Sequence, residues 1–155
     1  RVWCEPRPPA LNTVALLKAA SEELGISPGD AMHYAERLYL SGLTSYPRTE
    51  TSRYAPGFDL EGTLRCLSER DEVREWLPQA AELHRDASAS ASAAGGDLGA
   101  ALAARASLDG VDVGDHPPIT PVKLATPRQC EGEAGWALYQ YICRHFVASL
   151  SADCT

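Results

Sequence analysis

The sequence predicts a mainly α-helical domain that contains a short β element. Apolar residues recur at helical spacing from Leu11 to Leu24 and again from Glu133 to Leu150, as in amphipathic helices that pack on a core. Between them, the partly β-branched run Leu43-Thr44-Ser45 follows a Ser-Gly helix breaker and is extended in character. With 155 residues, of which 45% are hydrophobic, the chain can form one domain with a substantial core.

The first two predicted helices have clear boundary signals. Asn12 is a good N-cap for the first helix, and Gly25 is placed to end it in the left-handed conformation. Ser27 caps the second helix, Pro28 takes its first position, and Asp30 completes a capping-box-like pair. Two helices joined by a short turn and followed by a strand form the core of a winged-helix unit, whereas a helical hairpin that only packs is the alternative.

The middle of the chain combines a helix with a low-complexity segment. Asp59 is predicted to cap a helix that continues through Trp76, and Pro78 breaks it. Residues 87–94 contain only alanine and serine, a composition that is not expected to build a core. We therefore predict a surface insertion at about residues 86–109.

The chain is predicted to be one domain with a leading connector. Residues 1–10 contain three prolines and are expected to arrive extended from a neighbouring domain, and residues 11–155 form the domain itself. The chain begins with arginine rather than methionine, and we expect it to be a piece of a longer protein. It has no apolar run long enough to span a membrane and no secretory signal pattern.

Tyr46 and Arg48 are the first candidate catalytic pair. Pro47 keeps Tyr46 out of the α region, and Arg48 lies on the same face as Tyr46 if this stretch is extended. Because a phenol is protonated at neutral pH, it is a weak nucleophile and needs an activating neighbour. Its oxygen could attack phosphorus while the guanidinium holds the phosphate oxygens. A loop with a half-buried ring is the alternative that the spacing leaves open.

The second informative stretch is Asp115–Pro121, where three prolines surround His116. A lone histidine in such a place is more often structural than catalytic. The acidic residues Asp109, Asp112 and Asp115 lie in a glycine-containing loop without an apolar strand to hold carboxylates rigid. We therefore predict no metal site here.

Charge and cysteine content restrict the function classes. The net charge is −7, and residues 54–155 carry all of it, because residues 1–53 have six basic and six acidic side chains. Binding of nucleic acid by bulk attraction is therefore disfavoured, and any such contact depends on a few arginines near Tyr46.

The five cysteines are scattered without a Cys-x-x-Cys pair, which disfavours a zinc site or disulfide framework and suits a reducing compartment.

Several stretches together resemble one family. Residues 35–39 (AERLY) followed by residues 42–51 (GLTSYPRTET) resemble the active-site segment of type IA DNA topoisomerases. The PRTET sequence and the aromatic residue shortly after it point to the topoisomerase III branch and its beta form. Residues 114–121 (GDHPPITP) and 138–146 (LYQYICRHF) also resemble segments of this family. Residues 78–109 do not follow it, and Leu40 stands where some bacterial members carry an acidic residue.

The resemblance implies a fold and a set of site residues. It implies the cleavage (cap) domain of a type IA topoisomerase, with winged-helix character. Tyr46 would attack one DNA strand and become joined to its 5′ phosphate, while Arg48 and His116 interact with the cleavage-site phosphate. Further nucleic-acid contacts are predicted at Arg37, Thr49, Glu50, Arg53 and Lys123.

The resemblance also implies partners. Mg²⁺ would be bound by carboxylates of a Toprim domain that this chain does not contain, and no metal is expected on the chain itself. The expected partners are single-stranded DNA, with RNA as a second candidate, and the Toprim and other domains of the parent protein. The expected compartment is the nucleus, with the cytoplasm as a second candidate. By itself the chain is expected to bind single-stranded DNA weakly and to leave supercoils unrelaxed.

Three rival functions remain at this point. The chain could be a winged-helix module that binds nucleic acid without chemistry. It could be a tyrosine recombinase, which joins to the 3′ phosphate, although only Arg37 and His33 stand near and before the tyrosine. It could also be a purely structural or protein-interaction domain.

Overall fold

The computed structural model describes residues 7–107 and 109–151 and is all-helical in these residues. A short 3₁₀ helix at Pro127–Cys130 precedes the last α-helix. The seven α-helices of the described residues are α1 Thr13–Glu23, α2 Pro28–Leu40, α3 Leu60–Ser68, α4 Asp71–Trp76, α5 Gln79–Ala94, α6 Leu98–Arg105 and α7 Glu133–Leu150.

The predicted hairpin of α1 and α2 is confirmed. The Asn12 side chain accepts a hydrogen bond from the Ala15 N–H (2.9 Å), and the Ser27 hydroxyl accepts one from the Asp30 N–H (3.3 Å). Gly25, just after α1, adopts φ +66°, as a glycine that ends a helix does. The two helices pack against each other.

The predicted short β element is absent as a strand, so the winged-helix class is not confirmed. Within the described residues, the stretch 43–45 makes only one isolated antiparallel bridge, between Thr44 and Pro121. Proline has no N–H to donate to a ladder; Pro121 is itself a bridge residue, and Pro47, Pro117 and Pro118 lie a few residues from it in the two segments. Pairing therefore cannot extend along either segment.

Helix α7 is the centre of the core, and α2, α5 and α6 all pack against it. Gly135 permits a close approach, because a Cβ on it would lie 1.7 Å from the carbonyl oxygen of Cys130. The hydroxyl of Tyr139 accepts from the Ala125 N–H (3.1 Å) and donates to the Lys123 carbonyl (2.9 Å). The predicted apolar face of this helix is confirmed by the burial of Leu138, Tyr139, Ile142, Phe146, Val147 and Leu150.

The single helix predicted from Asp59 to Trp76 is wrong, because the chain forms two helices, α3 and α4. Asp59 does cap α3, with its carboxylate accepting from the Gly62 N–H (2.9 Å). Arg70 then leaves the helical region, at φ −108° and ψ 126°. The buried face of α3 ends at Leu67, and a continuous 3.6-residue repeat would leave Val73 off that face. The break allows Val73 to be buried as well.

The expectation that the alanine- and serine-rich segment cannot build a core is also wrong. It forms the second half of α5, in which Ala87 and Ala91 are buried, and the following helix α6 buries Leu102 completely. Alanine has the highest helix propensity, and its small side chain lets two helices pack closely. Gly95 ends α5 in the left-handed conformation. The boundaries of an insertion at about 86–109 stay a prediction.

The predicted connector lies partly outside the described residues, which begin at residue 7. Residues 7–10 contain no helix, and Ala10 is buried and donates its N–H to the Ser52 carbonyl (3.0 Å). The carbonyl of Pro9 lies 2.7 Å from Nε2 of His145. No helix in the described part of the chain is long and apolar enough to cross a membrane.

We predict that Leu102→Ala lowers the free energy of unfolding by about 2–5 kcal/mol, because it leaves a cavity in a fully buried position. Urea denaturation followed by circular dichroism measures the change. Val14→Ala, at a side chain that is 74% exposed on α1, is the control and should change stability by no more than about 0.5 kcal/mol. Equal effects of the two substitutions would contradict a core role for α6.

Candidate active site

Two extended segments cross next to the end of α2 and form the candidate site. One is residues 43–52, which contain the Tyr46 stretch, and the other is residues 111–122, which contain the His116 stretch. The N–H of Ser45 donates to the Thr120 carbonyl (3.0 Å), and the Ser45 hydroxyl donates to the Pro118 carbonyl (3.0 Å). Isolated hydrogen bonds of this kind therefore align the two segments without a continuous ladder.

The two segments also approach closely at their other ends. The N–H of Ser52 donates to the Val111 carbonyl (2.8 Å), and the N–H of Val111 donates to the Ser52 hydroxyl (3.0 Å). Gly110 is required here, because a Cβ on it would lie 1.9 Å from the Ser52 carbonyl oxygen. A larger residue at position 110 would push the segments apart.

The start of α1 holds the tyrosine segment in place. The Thr13 hydroxyl donates to the Pro47 carbonyl (2.6 Å) and accepts from the Thr49 N–H (2.8 Å). In the same region, the Ile119 N–H donates to the Leu11 carbonyl (2.8 Å). The backbone on both sides of Arg48 is therefore anchored to a helix.

The Asp115 carboxylate joins the segments most directly. Its Oδ1 accepts hydrogen bonds from the Thr51 hydroxyl (2.6 Å) and the Thr49 hydroxyl (3.2 Å), and its Oδ2 accepts from the Glu50 N–H (2.8 Å). These bonds favour the ionised form, and the bond from the Glu50 N–H contributes most to lowering the pKa of Asp115 to about 2. Because His116 follows Asp115 in the chain, these bonds also fix the backbone that carries the imidazole.

The structure places Tyr46 between His116 and Tyr39. The ring centroids of Tyr46 and His116 are 4.6 Å apart, and those of Tyr46 and Tyr39 are 5.1 Å apart in an edge arrangement. Tyr46 is half-buried, and its hydroxyl reaches solvent and has no hydrogen-bond partner among the described residues. The hydroxyl is therefore accessible to a ligand.

Arg48 lies against the same helix face as Tyr46. Its Nε and Nη2 donate to Oε1 of Glu36, at 2.9 and 2.5 Å. Glu36 and Tyr39 are three residues apart on α2, so their Cβ atoms are about 5–6 Å apart. Of the three side chains predicted to be catalytic, the structure places Tyr46 and His116 in ring contact and Arg48 on Glu36, one turn before the Tyr39 that contacts Tyr46.

The five residues predicted to contact nucleic acid differ in their exposure to solvent and in their partners. Lys123 and Glu50 are exposed, and Arg37 is exposed but paired with Glu131 (2.6 Å). Thr49 is 4% exposed, and its hydroxyl also donates to the His116 carbonyl (2.7 Å). This threonine is placed to support the site from within. Arg53 is half-buried on the same segment.

No group of three or more His, Cys, Asp or Glu side chains that could hold a metal ion occurs among the described residues. The Asp115 oxygens are occupied by the hydrogen bonds from residues 49–51. Within residues 7–107 and 109–151, the side chains therefore do not fit a magnesium site.

Sequence reasoning missed four residues that build the site: Thr13, Glu36, Tyr39 and, as a structural group, Asp115. The spacing of Glu36 and Tyr39 on one face of a predicted helix that ends before Tyr46 was a usable signal. Thr13 and Asp115 contact Thr49 from 36 and 66 residues away in the chain, and no local pattern reports such a contact.

Comparison with known proteins defines the family to which this chain belongs. The family model for DNA topoisomerases matches residues 3–155, nearly the whole chain. The chain belongs to the DNA topoisomerase family, in its type IA branch.

Its relatives specify the type within that family. It is 44% identical over 155 residues to DNA topoisomerase 3-beta of Oryza sativa subsp. japonica, covering 97% of this chain and 15% of the relative. It is 43% identical over 152 residues to DNA topoisomerase 3-beta-1 of Homo sapiens, covering 96% and 15%. The identity to DNA topoisomerase 1 of Thermoplasma acidophilum is 32% over 147 residues. The predicted relation to the beta type of topoisomerase III is confirmed, and the chain spans about 15% of the length of these 3-beta relatives.

We predict that Asp115→Asn weakens the fold and removes part of its acid sensitivity. The pKa of Asp115 is lower in the folded chain than in the unfolded chain, so its contribution to stability is complete above about pH 4 and is lost as the pH falls toward 2. Urea denaturation at several pH values between 2 and 5 measures the effect. Wild type should lose more stability over this interval than the variant does.

The control for this prediction is Asp109→Asn, at an exposed carboxylate in the same loop. It should leave the acid sensitivity as in wild type. If Asp115→Asn loses the same stability between pH 4 and pH 2 as wild type, the carboxylate does not hold the segments together.

Proposed function

We propose that this chain carries the nucleophile of a type IA topoisomerase of the III-beta type, which cleaves and rejoins single-stranded DNA through a 5′-phosphotyrosine intermediate. The observation that supports this best is the placement of the accessible Tyr46 hydroxyl beside His116 and on the α2 face that also holds Arg48. Nucleophilic attack on a phosphodiester needs groups of this kind: a nucleophile, a permanent cation and an imidazole.

In the proposed step, the Tyr46 oxygen attacks the phosphorus of one strand. A bond forms between this oxygen and phosphorus, and the bond from phosphorus to the 3′ oxygen breaks. The phenol loses its proton, and the leaving 3′ oxygen gains one. Attack by the 3′ hydroxyl on the phosphotyrosine reverses the step, and because a phosphodiester is exchanged for a phosphotyrosyl ester, no ATP is consumed.

Arg48 and His116 have separate tasks in this proposal. The guanidinium of Arg48 donates to two phosphate oxygens and stabilises the charge that develops on them in the transition state. His116 is exposed and packs on the Tyr46 ring, and in its protonated form it adds a second positive donor. Thr49 follows Arg48 in the chain and its hydroxyl donates to the His116 carbonyl (2.7 Å), so it supports both residues from the interior.

The proposal extends to the rest of the protein. Magnesium in the intact enzyme would be held by carboxylates of a Toprim domain, since the side chains described here do not fit it. The net charge of −7 is consistent with weak binding of single-stranded DNA by this chain and a basic track elsewhere. RNA as a further substrate, a nuclear location and winged-helix character of the domain belong to the same proposal.

We predict that Tyr46→Phe in the intact protein abolishes the covalent adduct, because phenylalanine lacks the attacking oxygen. Denaturing electrophoresis of a single-stranded oligonucleotide labelled at its 5′ end and at its 3′ end measures the adduct and the end to which it is joined. Tyr34→Phe, at another half-buried tyrosine of this chain, on α2, is the matched control and should leave the adduct unchanged.

Each rival function corresponds to a different outcome of this experiment. An adduct that survives Tyr46→Phe excludes Tyr46 as the nucleophile. An adduct joined to the 3′ phosphate supports a tyrosine recombinase, and DNA binding without any adduct supports a non-catalytic winged-helix module.

We predict that Arg48→Ala in the intact protein slows adduct formation by about 10²–10³-fold, the usual effect of losing one donor to a developing anionic charge. Because Arg48 is exposed, its removal should not unfold the domain. The measurement is the single-turnover rate of cleavage, with the thermal midpoint as a check on folding. Unchanged cleavage would support a purely structural or protein-interaction domain.

A further inference from the structure

The guanidinium of Arg48 is held along one edge only. Arginine has five N–H donors in a planar fork, and Glu36 accepts from the Nε and from one Nη2 donor. The two Nη1 donors and the second Nη2 donor have no protein acceptor within residues 7–107 and 109–151. The Arg48 side chain is 58% exposed, so this second edge faces solvent.

Glu36 lies on the same face of α2 as Tyr39, the residue that contacts the proposed nucleophile. It lies one turn before Tyr39 on α2, and Tyr39 packs on the Tyr46 ring. One face of α2 therefore fixes the ring of the proposed nucleophile and the plane of the proposed phosphate donor in relation to each other.

We infer that Glu36 is a positioning residue, which holds one edge of Arg48 so that the other edge is ordered for the phosphate beside Tyr46. This inference rests on the proposed function. A guanidinium can bind a carboxylate along one edge and two phosphate oxygens along the other at the same time. Glu36 itself does not touch the phosphate and acts through Arg48.

The physical reason is that ordering costs free energy. An arginine side chain has several freely rotating bonds, and restricting them when substrate binds opposes the reaction. If a carboxylate orders the side chain beforehand, the donors are already placed when charge develops on the phosphate. The effect is expected in the rate of the chemical step more than in the affinity for DNA.

The test uses Glu36→Gln in the intact protein, because glutamine has the same size but no charge. We expect the single-turnover rate of adduct formation at saturating single-stranded DNA to fall about tenfold, less than the loss of the donor itself causes. The affinity for DNA should change by no more than about twofold. Glu61→Gln, which removes the carboxylate of the exposed Arg65–Glu61 pair (2.6 Å) on α3, is the control and should cleave as wild type does.

A second variant tests whether Glu36 acts through Arg48. Lysine at position 48 is a point charge without a fork, so Glu36 can no longer set the plane of a donor pair. In Arg48→Lys, the additional change Glu36→Gln should therefore not reduce the rate further. An independent tenfold loss in this background would overturn the inference.

Two further outcomes would overturn it. Glu36→Gln could behave as Glu61→Gln does, or it could raise the rate or the affinity, which would mean that Glu36 competes with the phosphate for Arg48.

Failure of the proposed function can be distinguished from failure of this inference, because wild type would then form no adduct or Tyr46→Phe would still form it. In both ion pairs the arginine is exposed and the glutamate is partly exposed, so neither variant is expected to unfold.

Discussion

The Asp115 carboxylate is the constraint on which the candidate site depends. It accepts hydrogen bonds from three consecutive residues of the segment after Arg48, and the next residue in the chain is His116. The two proline-rich segments have no continuous ladder between them, so their relative position depends on isolated hydrogen bonds, and the Asp115 carboxylate accepts three of these at one point. This exposed carboxylate therefore holds the two segments together through side-chain hydrogen bonds where a sheet would use a backbone ladder.

Helix α2 provides the rigid side of the site. Its cap at Ser27 and its packing against α7 fix the direction of the helix, and its exposed last turns present Glu36 and Tyr39 to Arg48 and Tyr46. Side chains that work together are easier to hold on a helix than on loops. Tyr46, the proposed nucleophile, lies on a loop, where its hydroxyl has no hydrogen-bond partner among the described residues.

The electrostatics of the chain fit placed contacts better than a general attraction. The net charge is −7, and Arg37 and Arg48 are each paired with a glutamate at the surface. A basic face would attract any nucleic acid, whereas arginines held by carboxylates present only selected donors. The proposed reaction needs such selectivity at one phosphate.

The sequence by itself determined the local features of this protein. Capping residues such as Asn12 and Ser27 gave the helix starts, periodic apolar residues gave the face of α7, and the motif around Tyr46 identified the family. Only the tertiary structure decided that the alanine-rich segment joins the core and that Glu36 and Asp115 build the site. The physical reason is distance along the chain. A cap or a periodic face depends on neighbours within a few residues, whereas burial of Ala87 or the bond from Thr51 to Asp115 depends on segments that meet only in the folded state.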